Sequence, residues 1–204
     1  DIAISQIGHG AHALCAEGEA VIFQIDCTSL ADAVIGNADK GISSIADLKG
    51  KKVAATSGTS AEIILNLALK SAGLTSDDLE IVEMDANGMV SAMVSGNVDA
   101  CATWSPGTVT ISEALGDKTV WLATNQDYIN EATFPSSFIT TQKYADEHHD
   151  VLVRFSRALQ KAADYRNEHI EEVAEMVAKQ CEVDASTMLA CVGEGNWTIT
   201  SDFQ

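Results

Sequence analysis

Arginine is almost missing from this chain. It occurs three times, at Arg154, Arg157 and Arg166, all at helical spacing in one segment. Lysine and arginine together number 12 against 30 aspartates and glutamates, for a formal net charge of -18. A nucleic-acid binder needs a basic patch to neutralise phosphates, and this composition excludes that class. The acidity favours solubility. It also removes long-range steering of an anion, so any anion site must work through local donors. The five cysteines, at 15, 27, 101, 181 and 191, form no CxxC and no Cys/His spacing suited to zinc. Their odd number is not a disulfide framework, and they read as buried free thiols; a Cys181–Cys191 bridge is not deducible. No apolar run approaches the roughly 20 residues that span a bilayer. No initiator Met and no signal peptide precede Asp1, which opens on the strand-like "DIAIS", so the chain reads as a mature fragment or a trimmed piece.

What remains is globular: 204 residues, 46% hydrophobic and 21% charged, enough for one large domain or two small lobes. Short β-branched runs alternate with helical periods. "DIAIS", "AVIFQIDC", "KKVAAT", "LEIVEM", "VDACATW", "KTVWLAT" and "SSFITT" read as strands. "GHGAHALCAEG", Ser60 to Ala72, "ANGMVSAMVSG" and a segment from Pro106 towards Leu115 read as helices, three of them stopped by Gly18, Gly73 and Gly96. From Gln142 the chain is mostly helical, with one amphipathic stretch from about Asp150 to Gln180. This alternation predicts βαβ units and a mainly parallel sheet.

In such sheets ligands bind beyond the carboxyl ends of the strands. That rule singles out Ser5 to His9, Thr56 to Ser60, Asp85 to Gly88 and Trp104 to Pro106. The second group is the most suggestive. A helix N-terminus leaves N–H groups without intrahelical partners and carries a partial positive charge. Ser57, Thr59 or Ser60 can cap it, and Gly58 lets the backbone turn sharply and a ligand approach. An oxyanion docked there needs no arginine. The plain alternative is N-capping alone, as in every strand-to-helix turn. The stretch is not a Walker A loop, because "GTSAE" lacks the Gly-Lys-Ser/Thr element.

Four features occur in order: "SIADLKGKKVA", "GTSA", "SGNVDA" and a Trp two residues before Pro106. With "DIAIS" at the start, "FPSSFITTQKYADEHHDVLVRFSRALQKAADY" and "EGNWTITSDF", they make the chain resemble ABC-transporter solute-binding proteins of the nitrate/sulfonate/taurine class, whose fold is shared with thiamine-precursor-binding proteins. The resemblance implies an α/β fold of the type II periplasmic-binding kind: two α/β lobes, two crossover segments and a ligand cleft. Lobe one would hold residues 1–36 and 134–204, and lobe two residues 37–133, with "ADAVIG" and the region of Pro135 as crossings. Such proteins carry a strand–helix–strand–helix segment before the "DIAI" strand, so lobe one is expected to be incomplete, with chain exchange or a dimer as one way to complete it.

The function implied is that of an extracytoplasmic binding component, periplasmic or held by a lipoprotein anchor outside this chain, that delivers a small solute to an ABC permease. It implies no enzyme activity, no cofactor and no metal. The solute would be an aliphatic sulfonate, taurine, nitrate or a thiamine-type pyrimidine. Candidate contacts are Gln6 and His9 after the first strand, Ser57, Gly58, Thr59 and Ser60 for an acidic head group, Asp85 and Asn87 beside them, Trp104 for an apolar part, and Ser136 at the second crossing. Asp85 could bind an amino group or cap the next helix, and His9 and Trp104 each have a structural role as the alternative. Trp121 and Trp197 read as structural. Thiamine-pyrimidine synthesis on the same fold and a ligand-sensing domain of a signalling protein are the competing functions.

Overall fold

The apolar runs of the sequence become sheets in both halves of the chain. A computed structural model describes residues 4–7, 15, 18, 20–191 and 195–196. The chain divides into two units, Asp1–Ser29 with Thr133–Gln204, and Leu30–Ala132. β1 (Ser5–Ile7) and β2 (Val21–Ser29) belong to the first unit. The second unit contains β3 (Asp32–Asn37), β4 (Lys52–Ala55), α1 (Ser60–Ser71), β5 (Glu80–Glu83), α2 (Ala86–Ser95), β6 (Ala100–Trp104), α3 (Gly107–Leu115) and β7 (Thr119–Thr124). The chain then returns to the first unit with β8 (Pro135–Thr140), α4 (Gln142–Glu147), α5 (His149–Glu168), α6 (Ile170–Cys181), α7 (Ala185–Ala190) and β9 (Gly195–Asn196).

The second unit's sheet has the order β5-β4-β6-β3-β7. β4 pairs parallel with β5 and β6, whereas β3 pairs antiparallel with β6 and β7. The expected mainly parallel sheet is thus a mixed one, in which β3 runs against its two neighbours and so against all four other strands. The reason lies in the connection. β3 follows β2 through Leu30 and Ala31 alone, so no crossover helix sets its direction. The run "ADAVIG", read as a crossing, is this strand. In the first unit the order is β1-β8-β2-β9, and every described pair is antiparallel.

β3 is buried along its whole length, and β4 and β6 along most of theirs. That explains their unbroken apolar character: both faces of the sheet are covered. Ala33, Ile35, Ala54 and Cys101 share one cluster with Met89, Ala92 and Met93 of α2 and Ile111 of α3. By the pleat, Val34, Val53, Ala55 and Ala102 face the other way. On that side α1 buries Ala61, Ile64, Leu65, Ala68 and Leu69, an i, i+3, i+4, i+7, i+8 stripe, and packs against β3, β6 and β7. Each fully buried Ile or Leu of that stripe contributes about 1.5–3 kcal/mol. α2 ends as its sequence expects, with Gly96 at φ 72°.

In the first unit, Phe23, Phe138 and Phe155 form a ring cluster with centroids 5.4–6.4 Å apart, which anchors α5 on β2 and β8. The single amphipathic stretch expected from Asp150 to Gln180 is two helices. They break at His169, where φ is -130° and ψ 47°. His169 stacks on Tyr165 at 4.0 Å, and its Nδ1 lies 2.9 Å from the Tyr165 carbonyl. Asn167 and His169 are both weak helix formers, and this local contact holds the kink. Among the thiols whose burial is described, Cys101 alone matches the buried reading; burial pushes its pKa up to about 12. Cys181 is exposed and Cys191 half-buried; no disulfide joins them, and Cys191 Sγ donates to the Thr187 carbonyl at 3.2 Å. Trp121, read as structural, lies half-exposed on edge strand β7. Trp197 and most of "GHGAHALCAEG" lie outside the described residues.

Gly36 in β3 is required by space. A Cβ there would lie 2.5 Å from Ile42 Cγ2 and 3.1 Å from Leu122 Cδ1. Gly36→Ala is expected to destabilise the chain by about 1–3 kcal/mol, the usual penalty for overpacking, read as a lower midpoint in urea unfolding.

Candidate functional site

Because β3 is reversed, its first residue lies at the same edge of the sheet as the last residues of its neighbours. Asp32 is opposite Trp104 of β6, and Ala33 is opposite Thr124 of β7. Thr56 to Ser60 follow β4, Met84 and Asp85 follow β5, and Ser105 follows β6. The second unit therefore gathers Ser57, Gly58, Thr59, Ser60, Asp85, Asn87 and Trp104 at one edge, as the strand-end rule expects. Gln6 and Ser136 are in the first unit, near the end where β1 finishes and β8 begins: Gln6 pairs with Phe138, and Ile7 with Ser137. His9 lies outside the described residues.

The loop after β4 is held by its own hydroxyl groups. Thr59 is the N-cap of α1, with φ -99° and ψ 162°. Its Oγ1 accepts from the Glu62 N–H at 3.3 Å and donates to the Thr56 carbonyl at 2.7 Å. Thr56 Oγ1 donates to the Met84 carbonyl at 2.6 Å, which ties the loops after β4 and β5 together. Gly58 has φ 76°, and a Cβ there would meet nothing within 4 Å. Backbone conformation, not space, requires glycine at this position.

Two donors proposed for a ligand are engaged by the protein's own carboxylates. Ser57 donates to Glu83 from its N–H at 2.9 Å and from its hydroxyl at 2.8 Å. The Gly58 N–H donates to Glu62 at 2.8 Å. The Ser57 bonds hold the Glu83 carboxyl below the usual glutamate range. The N–H groups of Ser60 and Ala61 are left as first-turn donors that a helix cannot satisfy internally. Asp85 takes the capping role: its Oδ1 accepts from the Gly88 N–H at 2.8 Å. Asn87 is exposed on the first turn of α2. Trp104 packs partly against the core cluster and keeps part of its ring accessible.

Sequence reasoning missed three residues here. Asp32, only 3% exposed, receives Ser60 Oγ at 2.8 Å and Asn125 Nδ2 at 2.9 Å. The Asp32 N–H donates in turn to Asn125 Oδ1 at 2.7 Å. Glu83 is the third. The available signal was an acidic residue opening an otherwise apolar strand. A cavity of about 370 Å³ lies at the opposite edge of the unit, beside Lys40, Gly96, Leu115 and Lys118. Its lysines are committed, Lys40 to the Gly96 carbonyl at 2.9 Å and Lys118 to Asp39, so the strand-end edge is the better candidate. Among the described residues, no group of three His, Cys, Asp or Glu side chains could hold a metal ion, and no helix is long and apolar enough to cross a membrane.

A family model described as NMT1/THI5 like matches residues 22–173. The chain belongs to this family. One member-like relative, a Brucella abortus (strain 2308) protein whose name describes a binding protein, is 37% identical over 182 residues; the match covers 89% of this chain and 56% of that protein. A Bacillus subtilis (strain 168) protein named for binding aliphatic sulfonates is 29% identical over 154 residues, 76% of this chain and 45% of that one. The NMT1/THI5-like chain thus spans about half the length of the curated relatives it matches. Among solved structures, the periplasmic aliphatic sulphonate binding protein SsuA of Escherichia coli superposes with a TM-score of 0.81 at 22% identity, over 98% of this chain and 64% of that one. A desulfurization enzyme shares the architecture with a TM-score of 0.69 at 17% identity, over 91% of this chain and 68% of that one. The fold is that of the type II periplasmic-binding proteins, an architecture that also carries an enzyme.

The Ser57–Glu83 contact has a pH signature. A carboxyl with a lowered folded-state pKa contributes stability above its unfolded value and loses it as pH falls through the folded one. The Ser57 amide resonance is expected to titrate with a midpoint below the ordinary glutamate range, and Glu83→Gln is expected to abolish that titration, as read by NMR.

Proposed function

We propose that this chain is the core of a solute-binding component of an ABC-type importer, working in the periplasm with a membrane permease as partner. The solute is a small acid of the aliphatic sulfonate kind, seated at the strand-end edge of the second unit. The observation that carries this reading is the convergence on one edge of the α1 N-terminus, its capped loop and Trp104. The N–H groups of Ser60 and Ala61 and the positive end of α1 take the acid group. Trp104 lines the aliphatic part. The names of the Brucella and Bacillus relatives support binding, and the Bacillus name supports the sulfonate class.

A short alkanesulfonate at 100 times its dissociation constant is expected to stabilise the chain by about 2.7 kcal/mol, visible as a raised melting temperature. Trp104→Ala should weaken binding by roughly tenfold while the protein still unfolds cooperatively. A cooperative melt that no alkanesulfonate shifts would count against the assignment.

A further inference from the structure

Arginine is reserved for one helix. All three arginines of the chain, Arg154, Arg157 and Arg166, are in α5 of the first unit, while lysine supplies the other nine of its 12 basic residues. Arg154, Arg157 and Lys161 stand at i, i+3 and i+7, so they share one face of the helix, with Ala158 and Tyr165 beside them at i+4 and i+11. All five residues are exposed. The helix has room for such a face: of its 20 residues it buries only Leu152 and Ala163, on its other side.

The chain itself makes little use of these cations. Arg154 Nη2 donates to Asp150 Oδ2 at 3.1 Å, but both side chains are mostly exposed, and such an i, i+4 pair contributes little. Among the described residues, Arg157 and Lys161 make no hydrogen bond and no ion pair. Asp164, three residues beyond Lys161, receives Gln160 Nε2 at 2.9 Å instead. Arg157 and Lys161 are like charges at i, i+4, an arrangement that weakens a helix. They stand clear of its last turn, where the dipole would favour them. Solubility does not call for them either, because in a chain of net charge -18 they reduce the charge. Cations that neither fold nor solubility explains are free to meet a group outside the chain.

We propose that the face of α5 bearing Arg154, Arg157 and Lys161 is a docking surface for an acidic helical segment of a partner protein. Spacing and charge both fit that occupant. The three cations span about 10 Å along the helix, and carboxylates two turns apart on a partner helix cover the same length. The guanidinium forks of Arg154 and Arg157 can each take a carboxylate through two parallel bonds, which an ammonium cannot do. Ala158 between them is small enough for close approach, and Tyr165 adds the kind of ring that interfaces favour. A membrane surface fits less well. Sites for anionic lipid use about four to eight basic residues, whereas this face offers these three in a chain of net charge -18. The surface belongs to the first unit and the solute edge to the second, so the proposal does not depend on what the solute is.

The test is an NMR titration of this chain with a matched pair of synthetic alanine-based helical peptides of about four turns. One carries glutamates at i, i+4 and i+7, and the other carries glutamines at the same places. The glutamate peptide is expected to shift the amides of residues 154–165 and to bind at least about tenfold more tightly than its counterpart at low salt, with the difference shrinking as salt is added. Arg157→Gln and Lys161→Gln should each weaken the glutamate peptide several-fold and leave the melting temperature unchanged, since both side chains are exposed. Arg157→Lys should retain only part of the affinity, because it keeps the charge and loses the fork. Binding of neither peptide, equal affinities for the two, or shifts centred outside α5 would overturn the proposal. So would glutamate-peptide binding that both glutamine variants leave intact. Vesicles of phosphatidylglycerol that bind through Arg157 and Lys161, with no binding of the glutamate peptide, would overturn it in favour of a lipid surface.

Discussion

β3 runs against the other four strands of its sheet, and its register does most of the work of building the candidate site. The strand is fully buried, so sliding it by one residue would turn Val34 and Ile35 to the wrong faces. With the register fixed, Asp32 must lie at the edge where β4, β5, β6 and β7 end. A carboxylate there is nearly removed from water and has to be hydrogen-bonded. Ser60 and Asn125 answer that need, one from the start of α1 and one from the residue after β7. The order of the site loop thus follows from satisfying one buried acid.

This arrangement suits a chain of net charge -18. Distant charge repels an anion from it, so attraction has to come from donors within hydrogen-bond range. The start of α1 supplies them without any cationic side chain, while Glu62 and Glu83 hold the Gly58 and Ser57 donors. The same economy appears in the capping. Thr59 both caps α1 and ties itself to Thr56, and Thr56 joins the neighbouring loop, so few residues set the whole edge.

Much of this was legible in the sequence. The α1 boundaries, the glycine at the end of α2, the strands and the loop from Ser57 to Ser60 follow from periodicity, caps and turn residues within about a dozen positions of each other. What escaped is non-local. Asp32 and Asn125 are 93 positions apart, and Ser57 and Glu83 are 26 apart. No local pattern couples them. The direction of β3 escaped for a related reason: the expectation of a parallel sheet assumes that a helix carries the chain between strands, and only Leu30 and Ala31 separate β2 from β3. The role of Asp85 was left open between ligand and cap, and its bond to Gly88 shows that it caps α2. The break at His169 depends on a stacked contact with Tyr165, which a hydrophobic period does not register.

The central claim is that the solute is held by the start of α1 at the edge organised by β3. Hydrogen–deuterium exchange with and without saturating solute tests it most directly. The account predicts slowed exchange at the amides of Gly58 to Glu62, with residues 37–40 and 94–96 beside the opposite cavity unchanged. Protection at residues 37–40 and 94–96, with none at Gly58 to Glu62, would contradict it.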